Sequence, residues 1–347
     1  MGALPVRTIG IWMLAVPLAI LAIGLAFKGM AAANPSFFFT WPYFMEVLIA
    51  GLLQGVMYSL VALGFVLIFK ASGIFNFAQG SMVLFAALTI VGFIEMGTHW
   101  TIAFFITAGI MVLLAISVER VVLRPLVNQP HIILFMATIG IFFFLDGFAQ
   151  TIWGSDVKVL DIGIPKTPIT IMENANPSDP NDPWQYGILI NQYDLIAAAI
   201  GAVLVTVLAI FFQYTRTGRA LRAVADDHQA ALSVGIPLKT IWAIVWSVAG
   251  IVALVAGIVW GGKAGVQFSL ALIALKALPV LILGGFTSIP GAIVGGLIIG
   301  AGEQLAEVFL GPLFGGAIQD WFAYMLALFV LLFRPQGLFG ERIIERV

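Results

Sequence analysis

The chain has 347 residues, 61% of them hydrophobic and only 10% charged, with a formal net charge of −1 and a mean hydropathy of +1.09. Soluble domains are about 45–50% apolar and about 25% charged, so this composition excludes a water-soluble globule, and the near-neutral balance gives no basic surface for nucleic acid. With no cysteine, disulfides, thiol catalysis and thiolate metal sites are excluded; with three scattered histidines (His99, His131, His228) no metal cluster is expected, and no cofactor.

Crossing a bilayer takes about 20 apolar residues per helix. In chain order, such runs fall near 8–27, 46–69, 76–95, 99–119, 131–152, 192–212, 240–260 and 320–333. The stretch 266–307 is long enough to cross twice, with a break at "TSIPG", where Pro290 and Gly291 end a helix. The runs are continuous rather than alternating, unlike the strands of a membrane barrel. The expected fold class is therefore all-α: a polytopic integral membrane helical bundle of about ten transmembrane helices, forming one domain over 1–347. The first run has a second reading. Arg7, an apolar run and "AAAN" at 31–34 resemble a secretory signal peptide, but the run is long for a signal core and Lys28 interrupts the approach to the small residues. A retained helix is expected; cleavage would leave nine.

Lys and Arg in short loops mark the cytoplasmic side. Arg7, Arg120 and Arg124, the 215–239 loop with Arg216, Arg219, Arg222 and Lys239, and Arg334, Arg342 and Arg346 all fall on one side of a ten-helix chain. Both termini are thus expected in the cytoplasm. The loop 153–190, with Asp156, Asp161, Glu173, Asp179 and Asp182 against only Lys158 and Lys166, is expected outside.

Within this frame a few polar residues stand out. Asn76 and Gln79 sit between Gly73 and Gly80 in "GIFNFAQGS". Glycine-flanked polar breaks occur at transporter substrate sites, yet an interfacial turn with capping amides fits equally; Lys70 nearby suggests a cytoplasmic gate. Asp146 in "FFFLDGFAQ" and Glu303 after "GLIIGAG" are ionisable groups inside apolar runs, where such groups face the bundle interior or water. Glu303 could meet a substrate ammonium or pair with Lys263 or Lys276. Gly295, Gly296, Gly300 and Gly302 form a small-residue pattern suited to close helix packing. Trp12, Trp41, Trp100, Trp153, Trp184 and Trp321 near span ends read as interfacial anchors.

The most charged segment is 215–237, "TRTGRALRAVADDHQAALSVGIP". Residues 218–234 read as one short amphipathic helix, with Thr217 as its cap and Gly235 before Pro237 as its stop. Arg219, Arg222 and Asp226 share a face at helical spacing, and Ala223, Ala230 and Ala231 form a small-residue ridge. One reading is a solvated helix whose arginines fix topology and touch lipid phosphates. The other is a helix that docks in a groove of a soluble partner.

Four blocks resemble one family. "GRALRAVADDHQAALSVGIP" at 218–237, "GLLQGVMYSLVALGFVLIFKASGIFNFAQGSM" at 51–82, "LKALPVLILGGFTSIPGAIVGGLIIGAGEQL" at 275–305 and "FRPQGLFG" at 333–340 resemble the permease subunits of bacterial ABC importers for branched-chain amino acids, of the LivH type. Gln79 departs from the His that many members carry, and the outer loop "NANPSDPNDPWQYG" is long; both bear on the substrate. The resemblance implies a location in the bacterial inner membrane. It also implies a second homologous permease subunit, two cytoplasmic ATPase subunits and an external substrate-binding protein as partners, with membrane lipid around the chain. The segment 218–237 would then be the ATPase-coupling helix, carried by Arg219, Arg222, Ala223, Asp226, Ala230, Ala231 and Gly235. Consistently, no G-x-x-x-x-G-K-[ST] phosphate loop occurs, so the chain is expected not to be an enzyme. Two alternatives stay open: the same machinery carrying urea, short amides or small organic acids, and an ion-driven secondary transporter acting alone.

Overall fold

A computed structural model describes residues 6–33, 39–126, 129–172, 187–226 and 228–340. The helices are α1 (Val6–Ala33), α2 (Trp41–Ser72), α3 (Gln79–Glu95), α4 (Trp100–Ser117), α5 (His131–Trp153), α6 (Gln192–Tyr214), α7 (Arg216–Asp226), α8 (His228–Ser233), α9 (Leu238–Ala264), α10 (Ile273–Gly284), α11 (Ile289–Leu305), α12 (Gly311–Phe314) and α13 (Gln319–Phe333). Each of the ten apolar runs is helical. Seven helical stretches are long and apolar enough to cross a membrane, while Gln79–Glu95, Phe268–Gly284 and Gln319–Phe333 are shorter. At about 1.5 Å per residue, the 17 residues of α3 extend ~25 Å.

Local chemistry sets the breaks. Thr40 caps α2 by accepting from the Tyr43 N–H at 3.4 Å, and Gly73 ends it at φ 66°, donating to the Phe69 carbonyl. At "TSIPG" the sequence expectation needs correction: α10 stops earlier, with Gly285 at φ 100°, and Pro290 begins a helix rather than ending one. Ser288 Oγ accepts from the Gly291 N–H at 3.0 Å, and proline at the first turn forfeits only an N–H that has no intrahelical acceptor.

α2 is the central post. It is buried over most of its length and packs on α11, α9, α6 and α10. Its crossing with α11 is glycine on glycine: a Cβ added at Gly300 would lie 2.5 Å from Gly55 Cα, and one at Gly51 would lie 2.7 Å from the Gly300 carbonyl oxygen. The small-residue pattern therefore brings two backbones together. Gly257 does the same for α9 against α3, where an added Cβ would lie 2.6 Å from the Val83 carbonyl oxygen.

The bundle has two distinguishable ends. At one, strands β1 (Pro168–Ile171) and β2 (Ile188–Asn191) pair antiparallel with Pro168 opposite Asn191. The Leu189 N–H donates to Glu46 at the start of α2, Lys158 bridges to Val266 and pairs with Glu95, and Phe309 packs on Phe44. Residues 173–186 of the long loop, Trp184 included, lie outside the described residues, as do 341–347. At the other end, Trp242 Nε1 of α9 donates to the Ala71 carbonyl of α2 at 3.0 Å. There too the Leu338 N–H donates to the Leu283 carbonyl, folding the tail onto α10. The first is called the hairpin end below, the second the α7 end.

Candidate functional site

The charged segment is helical over Arg216–Asp226 (α7) and His228–Ser233 (α8), with residue 227 between them outside the described residues. Its start lies earlier than expected. Thr215, not Thr217, supplies the capping oxygen, accepting from the Gly218 N–H at 3.0 Å, because α7 turns off the last residue of α6. Gly218 permits that turn, since an added Cβ would lie 2.5 Å from Phe212 Cα. Arg219 and Arg222 reach back to donate to the carbonyls of Tyr214 at 3.2 Å and Gln213 at 3.3 Å. Both are exposed, so they close the otherwise unpaired C-terminus of α6 while their charge faces outward. Leu221, Val224 and Ala231 are buried against the bundle core. Ala223 is half-buried and Ala230 exposed, whereas Ala231 is buried, so the three alanines do not form one outward ridge. Gly235 adopts φ 82° as its stop role requires. The side chains of Asp226 and His228 lie outside the described residues.

The break between α2 and α3 is a polar knot in an apolar setting. Asn76 and Gln79 are fully buried. Asn76 Oδ1 accepts from the Ala78 N–H at 3.2 Å, and its Nδ2 donates to Gln79 Oε1 at 3.3 Å. Gln79 Nε2 has no acceptor among the described residues and lies over Gly64, where an added Cβ would lie 2.5 Å from Gln79 Cδ. The non-helical residues 75–77 are held by Thr138 of α5, whose Oγ accepts from the Phe77 N–H at 3.2 Å and faces the Phe75 carbonyl at 3.2 Å. Thr138 is the eighth residue of α5, so the break sits ~10 Å inside the helix start at about 1.5 Å per residue. Beside it is an apolar cavity of about 150 Å³ lined by Phe65, Phe77, Phe142, Ala271, Leu275 and Leu278, among others.

Glu303 lies toward the hairpin end and is 2% exposed. Tyr58 donates to its Oε1 at 3.1 Å and accepts from Gln54 Nε2 at 2.8 Å. Gln304 Nε2 donates to Gln54 Oε1 at 3.0 Å. Lys276 stands 3.8 Å from Glu303 and 2.7 Å from Asp320, whereas Lys263 is engaged by Asp194 at 2.8 Å. Of the two lysines open on sequence, Lys276 is thus the partner. The carboxylate is paired and hydrogen-bonded, as a buried charge must be. Glu307, one turn on, accepts from the Ala317 and Gln319 N–H groups at 2.9 and 2.8 Å and caps α13.

Asp146 stands apart from both clusters. Gln150 donates to its Oδ2 at 3.1 Å, and its Oδ1 is buried with no hydrogen-bond partner among the described residues. The four residues singled out along the chain therefore mark three places: Asn76 with Gln79 at the break, Glu303 across the bundle, and Asp146 on α5. Sequence reading missed Thr138, Gln54, Tyr58 and the Glu119–Arg124 pair, two-pronged at 3.0 and 2.7 Å. Only Gln54 and Tyr58, four apart on α2, left a visible signal as a polar stripe on an apolar helix.

Residues 47–334 match the family described as branched-chain amino acid transport system / permease component. The chain is similar to the high-affinity branched-chain amino acid transport system permease protein LivH of Escherichia coli (strain K12), 29% identical over 88% of this chain and 98% of that protein. It is similar as well to the permease protein BraD of Pseudomonas aeruginosa, 30% identical with the same two coverages. Among solved structures, PsaBC from Streptococcus pneumoniae in complex with Fab aligns over 84% of this chain and 92% of that one, with 15% identity and a TM-score of 0.45, too weak a likeness to bear on fold or function.

Proposed function

The chain belongs to the family of permease components of branched-chain amino acid transport systems, and we propose that it forms, with a second related permease subunit, the membrane path of an ATP-driven importer for branched-chain or related amino acids. The observation that carries this reading is the family match over 47–334. In the proposed assembly, two ATPase subunits on the cytoplasmic side hydrolyse ATP and an external binding protein delivers the substrate. The α7 end is the cytoplasmic end, with both termini there, in the bacterial inner membrane; the basic loops support that orientation.

α7–α8 is the proposed coupling element. Two features support this. Leu221, Val224 and Ala231 anchor it in the bundle core, and Arg219 and Arg222 tie it to the end of α6. A push on its exposed face would therefore be transmitted to a spanning helix. The break at Asn76 and Gln79 is the proposed inner gate, because non-helical backbone at membrane depth is tolerated only where protein or a water-filled cavity surrounds it. Glu303 and Asp146 are proposed to act along the path.

Reconstitution tests the reading. With its ATPases, second permease and binding protein, the chain should take up leucine, isoleucine or valine in an ATP-dependent manner; uptake of urea or acetamide instead would move the substrate class. Ala230→Trp should lower transport and ATPase co-purification at matched expression, because overpacking a docked face costs about 1–3 kcal/mol, or roughly 5- to 150-fold. Uphill uptake by the isolated chain under an ion gradient would contradict the proposal.

A further inference from the structure

Along the outside of the bundle, α4 and α9 leave an open groove of about 340 Å³, lined by Val112 and Ile116 of α4 and by Thr240, Ala243, Ile244 and Ile251 of α9, among others. The helices meet behind it, where a Cβ added at Gly250 would lie 3.0 Å from the Met111 carbonyl oxygen. Its walls are hydrocarbon apart from Thr240 at the mouth and Ser247, whose hydroxyl is spent on the Ala243 carbonyl at 2.7 Å. From Thr240 to Ile251 the groove runs ~16 Å at about 1.5 Å per residue, about half the ~30 Å hydrocarbon thickness of a bilayer. It opens at the α7 end, so it spans one leaflet.

Both walls finish in a cation. One turn beyond Ile116, where α4 loosens into the wide turn Val118–Leu123, stands Arg120; one residue before Thr240 stands Lys239. Both are exposed, and the wide turn packs on α9. The adjacent carboxylate of Glu119 does not neutralise Arg120, because Arg124 holds both its oxygens. No ion-pair partner of Arg120 or Lys239 occurs among the described residues.

We propose that this groove binds one acyl chain of an anionic phospholipid, with Arg120 and Lys239 holding its phosphate. A groove walled by hydrocarbon over the depth of one leaflet, with two cations at its mouth, is complementary to an acyl chain beneath a phosphate. The two unneutralised cations favour an anionic over a zwitterionic headgroup, at about fivefold for each basic residue near the surface.

The test uses the full chain, purified in mild detergent and offered equal amounts of phosphatidylglycerol and phosphatidylcholine with identical acyl chains. Bound lipid is counted by native mass spectrometry. Wild type should retain phosphatidylglycerol in preference, and R120Q/K239Q should lose up to about 25-fold of that retention. Ala243→Trp, which fills the groove, should lower retention of both lipids. Because R120Q/K239Q alters only exposed side chains, it keeps the proposal testable if the tryptophan variant fails to fold. R216Q/R334Q removes the same charge from elsewhere at this end and should retain lipid like wild type. Equal losses in the two double variants would mean diffuse attraction and overturn the proposal, as would unchanged retention in R120Q/K239Q. Displacement of the lipid on assembly with the partner subunits would put protein in the groove and overturn it as well.

Discussion

Gly300→Ala adds one methyl group to α11 where it crosses α2 backbone to backbone. That carbon would stand 2.5 Å from both Cα and N of Gly55, whereas apolar contacts are most favourable at about 3.5–4.0 Å. The two helices must therefore separate by ~1 Å. The movement reaches the polar groups that span the same crossing. Ser59 Oγ sits 3.1 Å from the Ala292 carbonyl, and Tyr58 sits 3.1 Å from Glu303; another ~1 Å takes both out of hydrogen-bonding range. Overpacking costs about 1–3 kcal/mol, and a stranded buried acceptor costs a further ~1–3 kcal/mol. Against this, alanine in place of glycine favours the helix by about 1 kcal/mol. The net expectation is a loss of ~1–5 kcal/mol. Gly302→Ala is the internal control. It carries the same gain in helix propensity, but its methyl would meet only the side-chain ends Phe322 Cε1 at 3.3 Å and Leu326 Cδ2 at 3.4 Å, which can yield. Heat-induced loss of the monodisperse peak in size-exclusion chromatography, measured for both variants in the same detergent, compares them directly. The reasoning fails if Gly300→Ala and Gly302→Ala lose the peak at the same temperature as wild type.

Three further outcomes are expected. Thr138→Val should strand the Phe77 N–H and speed its hydrogen exchange, at a cost of about 1–3 kcal/mol, while Thr138→Ser should restore protection. Glu303→Gln, which keeps an acceptor for Tyr58 while Lys276 keeps Asp320, should be less destabilising than Glu303→Ala by ~1–3 kcal/mol in the same thermal assay; equal losses would show that the Tyr58 contact contributes nothing. In this cysteine-free chain, a thiol at Ser178→Cys should react with an impermeant reagent only from outside the cell, and one at Ala230→Cys only from the cytoplasmic side; the reverse pattern would invert the proposed topology.

Much of the architecture was legible because a membrane leaves a chain few choices. Where water is absent, each spanning segment must satisfy its own backbone and present apolar side chains, so run length and composition alone placed all ten apolar helices. Gly235 and the glycines of α11 were readable for a similar reason: a left-handed stop and a close backbone approach both require the missing Cβ. The charged segment stood out against its surroundings, but the side that it turns to the bundle did not. Ala231 is buried while Ala230 beside it is exposed, because which side of a helix meets the core is set by the elements packed against it.

What tertiary structure decided was the pairing of polar groups far apart in the chain. Sequence offered Glu303 two lysines; the crossing of α10 and α11 chose Lys276. Tyr58 reaches Glu303 across 245 positions, and Thr138 clasps a break 61 residues earlier. In the sequence Thr138 is a lone polar residue among hydrophobic ones, indistinguishable from a hydroxyl bonded to its own helix, and the stripe of Gln54 and Tyr58 does not name its partner. Composition and periodicity act within one segment and can be read there. A hydrogen bond between segments depends on which faces meet, and that is set by the packing of glycine on glycine and ring on ring throughout the bundle.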